Sequence, residues 1–267
     1  MKKMTITTLM VALAAMFTAC GNHNQSTTTP TPATEAHHVE FVADSAFALI
    51  KAQCDLGPRV PGTPAHAACA QLLQSHLSRY CDTMLVQQAP VTTFDGKHLT
   101  ALNMVGVINP HATQRILLLV DVEDWGDYDN EDSWALGTQA WAQNYRSVMG
   151  QDYAPTFGIL LDMVGARGAR FAPEYYSLQY APSVVSLVWD AAHEAGYGQF
   201  FVKDGGGGVT DDHVAVNQAG IPCIDIIDMR GDGFFDGWHT THDTLDTIDP
   251  VTLKAVGQTL ANLIYNY

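Results

Sequence analysis

Hydrophobic positions in the first third of the chain recur at helical spacing in two segments. Residues 39–53 and 65–81 both carry apolar side chains with this period. Between them, the segment LGPRVPGTP at 56–64 contains three prolines and two glycines, which interrupt any helix. Thr63 is suited to cap the second helix, with Pro64 at its first position. This part of the chain therefore predicts two helices joined by a rigid loop.

Shorter apolar runs follow, and they predict strands. The runs at 84–91 and 103–108 flank a turn at Asp95 and Gly96 and predict an antiparallel pair. Three runs have the apolar character of buried parallel strands, namely RILLLVDVED at 115–124, FGILLDMV at 157–164 and IPCIDIID at 221–228. Helical patterns separate or follow them at 133–147, 183–195, 211–218 and 251–265, the last with Asp249 as its cap. The alternation predicts an α/β fold with a mostly parallel central β-sheet flanked by helices.

The N-terminus has the features of a targeting segment. Lys2 and Lys3 precede an apolar stretch at 6–17 that is too short to span a bilayer. It ends in FTACG, which resembles a bacterial lipobox with Cys20 as the lipidated residue. We expect a lipoprotein signal peptide at 1–19, a Ser/Thr/Pro-rich tether at 20–38 and a folded domain at 39–267. An ordinary secretory signal is the alternative.

Composition narrows the classes of function. Hydrophobic residues make up 47% of the chain and the formal net charge is −15, which indicates a globular protein that does not bind nucleic acid. The acidity fits either the solubility of an exported protein or a basic substrate. Cys54, Cys69, Cys81 and Cys223 show no zinc-binding spacing. Export permits disulfides, and buried free thiols are the alternative.

Acidic residues and two histidines lie at the predicted strand ends, in the following loops and at one predicted helix start beside them. They form the groups Glu123-Asp124, Asp162, Asp211-Asp212-His213 and Trp238-His239. Loops at the carboxyl ends of parallel strands meet in one crevice. Carboxylates that are adjacent there can divide metal binding and proton transfer between them. Each group alone has a structural explanation, such as a solvated loop or a helix cap, so their shared location is what predicts a site.

Seven segments in this order resemble glutaminyl cyclases of the M28 zinc peptidase superfamily, in particular the bacterial lipoprotein type. They are LGPRVPGTP at 56–64, VEDWG at 122–126, GILLDMVG at 158–165, TDDHV at 210–214, AGIP at 219–222, WHT at 238–240 and DTLDTID at 243–249. The resemblance spans most of residues 40–267. It implies a zinc exopeptidase-like fold.

The resemblance also implies roles for particular residues. Glu123 resembles the general acid/base, and Asp124 and His239 resemble zinc ligands. Asp162 and Asp211 resemble an acidic pair that binds near the reacting amide, with Asp212 as the alternative to Asp211. Trp238 resembles the aromatic wall of the substrate pocket. At Asp225 some relatives carry His.

The chain departs from the family between residues 119 and 120. The family has a further segment there, with a strand, a helix and a His-x-Asp element whose Asp ligates zinc. Here RILLL runs directly into VDVED, so the sheet would lack one strand and the zinc site one ligand. A catalytic zinc needs three protein ligands. Substitutes could come from Asp127, Asp129, Asp132 or His242, and the gap itself could be a natural deletion or a damaged coding sequence.

The resemblance implies a glutaminyl-peptide cyclotransferase, an acyltransferase that acts on peptides with N-terminal Gln and uses one zinc ion. Loss of the third ligand would impair it. Two alternatives stay open: an M28 aminopeptidase, which needs two metals and an activated water, and an inactive lipoprotein of the same fold. The expected membrane association is through the lipid anchor alone.

Overall fold

A parallel sheet of three strands lies at the centre of the molecule, in a computed structural model that describes residues 39–120, 126–231 and 233–267. Its strands are β3 (Ile116–Val120), β4 (Phe157–Asp162) and β5 (Cys223–Ile227), in the spatial order β3-β4-β5. Ile116 pairs with Phe157, and Gly158 pairs with Cys223. The predicted α/β fold with a parallel central sheet is confirmed.

Helices lie along the sheet and at its ends. They are α1 (Ala43–Cys54), α2 (Pro64–Tyr80), α3 (Leu136–Met149), α4 (Tyr175–Tyr180), α5 (Pro182–Glu194), α6 (Asp212–Gln218) and α7 (Pro250–Asn266). Helices α5 and α7 pack together over one core cluster that contains Phe171, Phe201 and Ile224. A second cluster joins α3 and α6 to the sheet through Trp141 and Val216.

The predicted antiparallel pair is a separate hairpin of β1 (Thr83–Thr92) and β2 (His98–Val107). Its second strand begins five residues earlier than the apolar pattern indicates, because the ladder continues to the pair Thr92 and His98 beside the turn. Gly96 has a φ of 79°, a left-handed conformation that Gly adopts without strain. The turn thus sets the register of the whole hairpin.

Two predicted helix caps are confirmed. The Thr63 side chain accepts a hydrogen bond from the His66 N–H at 3.3 Å, and Pro64 is the first residue of α2. Asp249 accepts from the Val251 N–H at 2.9 Å at the start of α7. Local side-chain chemistry therefore sets the start of both helices.

Two features of the helices differ from the sequence prediction. The helix expected from residue 133 begins at Leu136, because Glu131–Ser133 form a 3₁₀ turn and Ala135 has a φ of 54°. The six-residue helix α4 had no predicted counterpart. Its cap is Glu174, which is not a typical capping residue, and the helix is too short for a periodic pattern.

Cys54, Cys69, Cys81 and Cys223 are free thiols, so the alternative of buried free thiols is correct for Cys69 and Cys223, whereas Cys54 is exposed and Cys81 is partly buried. Among the residues that the structure describes, no helix has both the length and the apolar character needed to cross a membrane. The expected signal peptide, tether and Cys20 lie outside the described residues, as does the segment at 121–125 that contains Glu123 and Asp124.

Candidate active site

Asp162 is the last residue of the central strand β4, at the carboxyl edge of the sheet. It is half-buried and pairs in register with Ile227 of β5. The next residue, Met163, has a φ of 50°, a left-handed conformation that non-Gly residues rarely adopt. The chain therefore turns sharply at the end of the strand, as at many functional sites.

Asp211 lies at the start of α6, where it is the N-cap. Its carboxylate accepts a hydrogen bond from the Asp212 N–H at 2.6 Å. Asp212 itself is only 4% exposed. Both residues of the ambiguous pair thus lie at the same helix start, one as the cap and the other buried in the first turn.

A third carboxyl group, that of Asp225, lies near both Asp162 and Asp211. It lies in the middle of β5, has no exposed surface, and neither carboxylate oxygen has a hydrogen-bond partner among the described residues. Burial raises the pKa of Asp225 well above its usual value, and the negative charges of Asp211 and Asp162 raise it further. Burial without a hydrogen-bond partner therefore favours the protonated form of Asp225. The charges of Asp162 and Asp211 both act on Asp225, so the three carboxyl groups lie near one another, while the catalytic roles of Asp162 and Asp211 stay predictions.

Glu174 is a buried carboxylate near this cluster that the sequence did not indicate. It has no exposed surface and contacts His213, whose Nε2 lies 3.1 Å from Glu174 Oε2. Burial raises its pKa, but the hydrogen bond to His213 and backbone N–H groups outweigh that effect and the pKa is lowered. Glu174 is therefore ionised, whereas burial favours the protonated form of Asp225.

Trp238 and His239 lie in the loop after β5, within a group of aromatic rings. The two rings stack with centroids 4.0 Å apart, and Trp134 lies on His239 with its ring centroid at 6.2 Å. Phe234 and Tyr128 contact Trp238 at centroid distances of 4.4 and 6.3 Å. Trp238 thus belongs to an aromatic wall, and its role in a substrate pocket stays a prediction. The sequence did not reveal Trp134 as a part of that wall, although it lies in the loop that follows the Glu-Asp motif.

His239, the predicted zinc ligand that the structure describes, is an exposed residue of this loop. Its φ is 54°, a left-handed conformation that non-Gly residues rarely adopt. Burial lowers the pKa of His239, although the charge of Asp243 opposes this shift. The imidazole is therefore neutral at physiological pH, as metal binding requires.

The described residues by themselves do not complete a zinc site. Over the described ranges, no three or more His, Cys, Asp or Glu side chains are arranged to hold a metal. The predicted substitutes Asp127, Asp129, Asp132 and His242 thus do not form such a group with His239. Asp124, the other predicted ligand, lies in the segment 121–125, which is outside the described residues.

A comparison with known protein families shows to which family the chain belongs. Residues 126–264 match the family model of peptidase family M28, which is over half of the chain. The chain belongs to peptidase family M28. Comparison with the curated proteins gives no match.

Several solved structures are similar to this chain in both sequence and fold. The chain is similar to Tannerella forsythia glutaminyl cyclase, with 36% identity and a TM-score of 0.82 over 86% of this chain and 100% of that one. Porphyromonas gingivalis glutaminyl cyclase gives 36% identity and a TM-score of 0.80 over 84% and 98%. A Zn-dependent exopeptidase from Parabacteroides distasonis gives 35% identity and 0.80 over 86% and 99%.

Proposed function

We propose that the chain is a glutaminyl-peptide cyclotransferase, which converts the N-terminal Gln of peptides to pyroglutamate and releases ammonia. The observation that carries this proposal is the 36% identity to two glutaminyl cyclases across almost their whole length. Two further observations support it: the charges of Asp162 and Asp211 both act on Asp225, and Trp238 lies in a group of aromatic rings, as a reaction that needs carboxylates and a closely fitting pocket would require.

In this reaction the α-amine of the substrate attacks its own side-chain amide carbon. A C–N bond forms in the ring, the bond to the amide nitrogen breaks, and ammonia leaves. Glu123 takes the proton from the amine and returns it to the leaving nitrogen, so it ends in its starting state. Asp162 and Asp211 accept hydrogen bonds from the amide nitrogen. Trp238 holds the Gln side chain in a folded position and excludes water.

One zinc ion is part of the proposal, with Asp124 and His239 as ligands. Zinc would supply Lewis-acid polarisation of the amide oxygen. The neutral imidazole of His239 and the relative described as a Zn-dependent exopeptidase support a metal. The described residues do not complete a three-ligand site. The proposed roles of Glu123, Asp162 and Asp211 therefore do not depend on the ion.

The principal test is ammonia release from Gln-Ala by zinc-saturated protein. We expect Asp162→Asn to lower kcat by about a hundredfold, because that carboxylate would no longer bind the leaving nitrogen as an anion. The matched control is Asp190→Asn, which changes an exposed carboxylate on α5 and should leave kcat unaltered. No ammonia from the wild-type protein would reject the proposal.

A hydrolytic aminopeptidase is the second candidate, since one relative at 35% identity is described as a Zn-dependent exopeptidase. It would release the free N-terminal amino acid instead of ammonia, and it would need two metal ions. An inactive protein of this fold is the third. Metal analysis of the purified protein separates them: one zinc per chain supports the cyclase, two support the peptidase, and none supports the inactive form.

We also propose that a segment with one strand, one helix and one zinc ligand is missing between residues 119 and 120. Leu118 and Val120 of β3 support this, because these apolar side chains are 43% and 66% exposed. Side chains in a covered parallel sheet are normally buried. Repeating the sequence determination between the codons for Leu119 and Val120 tests this proposal, and an unchanged reading would leave a natural deletion.

Finally, we propose that the protein is an exported lipoprotein anchored through Cys20, facing the periplasm or held at the outer membrane. The lipobox-like FTACG and the Ser/Thr/Pro-rich stretch after it support this. Full-length protein should fractionate with membranes, and Cys20→Ser should release it. A wild-type protein found only in the soluble fraction would reject the anchor.

A further inference from the structure

The buried pair Glu174 and His213 is the feature outside the predicted site that most needs an explanation. Neither side chain is exposed, and they meet at 3.1 Å between Oε2 and Nε2. Removing a carboxylate from water is unfavourable by several kcal/mol unless its oxygens are well hydrogen-bonded. Capping a helix of six residues does not require such a group, because an exposed Ser or Asp would serve.

Glu174 is fully hydrogen-bonded, by donors from three separate segments. Its oxygens accept from the N–H groups of Tyr176 at 2.8 Å and Ser177 at 2.6 Å, both in the first turn of α4. They also accept from the Val209 N–H at 3.0 Å, directly after the four-glycine loop, and from His213 in α6. One carboxylate therefore links α4, the end of the glycine loop and the start of α6.

Two of the residues that are hydrogen-bonded to Glu174, Val209 and His213, lie on either side of Asp211 in the sequence. Val209 is two residues before it and His213 is two residues after it, so the chain is held to Glu174 both as it enters and as it leaves the helix cap. The four glycines that precede Val209 impose little conformational preference of their own. Glu174 therefore supplies restraints on both sides of Asp211 that the glycine loop does not provide.

Helix α4 is also hydrogen-bonded to strand β5 of the sheet. The Ser177 hydroxyl accepts the Asp225 N–H at 2.9 Å, while the Ser177 N–H donates to Glu174. Asp225 in turn lies close to both Asp162 and Asp211. The start of α6 and the middle of β5 are therefore fixed to the same short helix.

We propose that Glu174 and His213 are positioning residues that hold the Asp211 carboxylate at the distance from Asp162 that the reacting amide requires. This rests on the proposed function, in which Asp211 binds the amide nitrogen. A carboxylate suits this position because both of its oxygens accept, whereas a neutral amide has one oxygen and would turn N–H groups toward one of the two pairs of donors. His213 must offer a donor at the position of Nε2.

The kinetic test compares His213→Leu, which removes that donor, with His213→Gln, whose amide nitrogen can replace it. For ammonia release from Gln-Ala, we expect His213→Leu to lower kcat about 10- to 100-fold. KM should change less than about threefold, because the aromatic wall that binds the substrate is intact. His213→Gln should recover most of kcat. Equal losses in both variants would overturn the proposal.

A double-mutant cycle separates positioning from simple destabilisation. If His213 acts through Asp211, His213→Leu should have little further effect on kcat once Asp211→Asn is present. The control is Gln258→Ala, which removes buried side-chain hydrogen bonds on α7, far along the chain from Asp211. Any effect of that change should add to that of Asp211→Asn. Full additivity of His213→Leu with Asp211→Asn would overturn the proposal.

Hydrogen exchange provides a measurement that does not depend on activity. In Glu174→Gln the one side-chain oxygen can accept from only one pair of donors, so either the amides of Tyr176 and Val209 or the amide of Ser177 should lose the acceptor and exchange at least about tenfold faster. In Gln258→Ala they should not change. If the wild-type protein releases no ammonia, the proposed function fails while this measurement still decides the restraint, and unchanged exchange in Glu174→Gln would reject it.

Discussion

At the scale of single residues, the buried carboxyl groups of the site differ in the direction of their pKa shifts although they are close together. Glu174 accepts four N–H groups and its pKa is lowered, whereas neither carboxylate oxygen of Asp225 has a hydrogen-bond partner among the described residues and its pKa is raised. The difference arises from hydrogen bonding to the charged form, which outweighs burial in one case and is missing in the other.

The raised pKa of Asp225 makes stability depend on pH. The folded protein keeps this proton at pH values where the unfolded chain, with its usual pKa of 3.8, has released it. Stability should therefore fall as pH rises above 3.8, by up to about 1.4 kcal/mol per pH unit from this group, until its raised pKa is reached. Asp225→Asn does not titrate, so the variant should gain stability relative to wild type over this window.

Urea denaturation of both proteins at pH values on each side of 3.8 checks this expectation. The exposed Asp190 on α5 provides the control, since Asp190→Asn should follow the wild-type pH dependence. A difference between Asp225→Asn and wild type that stays constant with pH would mean that Asp225 is ionised in the folded protein.

At the scale of elements, the close approach of β4 and β5 depends on a glycine. Gly158 pairs with Cys223, and a Cβ at Gly158 would lie 2.7 Å from Cys223 Sγ. We expect Gly158→Ala to lower the free energy of unfolding by about 1–3 kcal/mol, because the two strands would have to separate slightly. Thermal or urea denaturation measures this loss.

Two further variants test the cause of that loss. In a Cys223→Ala background the effect of Gly158→Ala should shrink, because the sulfur that it would contact is gone. Gly205→Ala should be close to neutral, since a Cβ there meets no atom within 4 Å and its backbone is not left-handed. An undiminished effect in the Cys223→Ala background would place the strain elsewhere.

At the scale of the whole molecule, the first described segment is held to the last helix. Gln258 of α7 donates to the Val39 carbonyl at 2.7 Å and accepts from the Phe41 N–H at 2.9 Å, while the Phe41 ring lies against Gly257. Helix α1 packs on α7 beside these contacts. The first described residues are therefore held in place by residues of α7 that lie more than two hundred positions later in the sequence.

We expect Gln258→Ala to release this segment before the rest of the protein unfolds. The change removes buried hydrogen bonds, with a loss of about 1–3 kcal/mol concentrated at α1. Limited proteolysis with mass spectrometry should show earlier cleavage within 39–54, with the sheet and α5 still protected. Simultaneous cleavage across the chain would show that α1 and the sheet unfold as one unit.

Much of this architecture could be predicted from local patterns in the sequence. The strand periods predicted β3, β4 and β5 and their parallel arrangement, and the caps at Thr63 and Asp249 predicted where two helices begin. These features depend on interactions between residues that are close in the chain, so a short window of sequence contains the information. The motifs around Asp162, Asp211 and His239 likewise predicted the family, whose model the chain matches.

Only the tertiary structure decided which of these residues meet and in what charge state. The bond from His213 to Glu174 joins residues 39 positions apart, and the stack of Trp134 on His239 joins the loops after two different strands. The protonation of Asp225 depends on charges from β4, α4 and α6 together. Such contacts form when apolar surfaces drive separate segments into one core, and sequence spacing does not encode their distances. The sequence therefore determined the elements, their order and the family, while folding determined the electrostatic arrangement of the site.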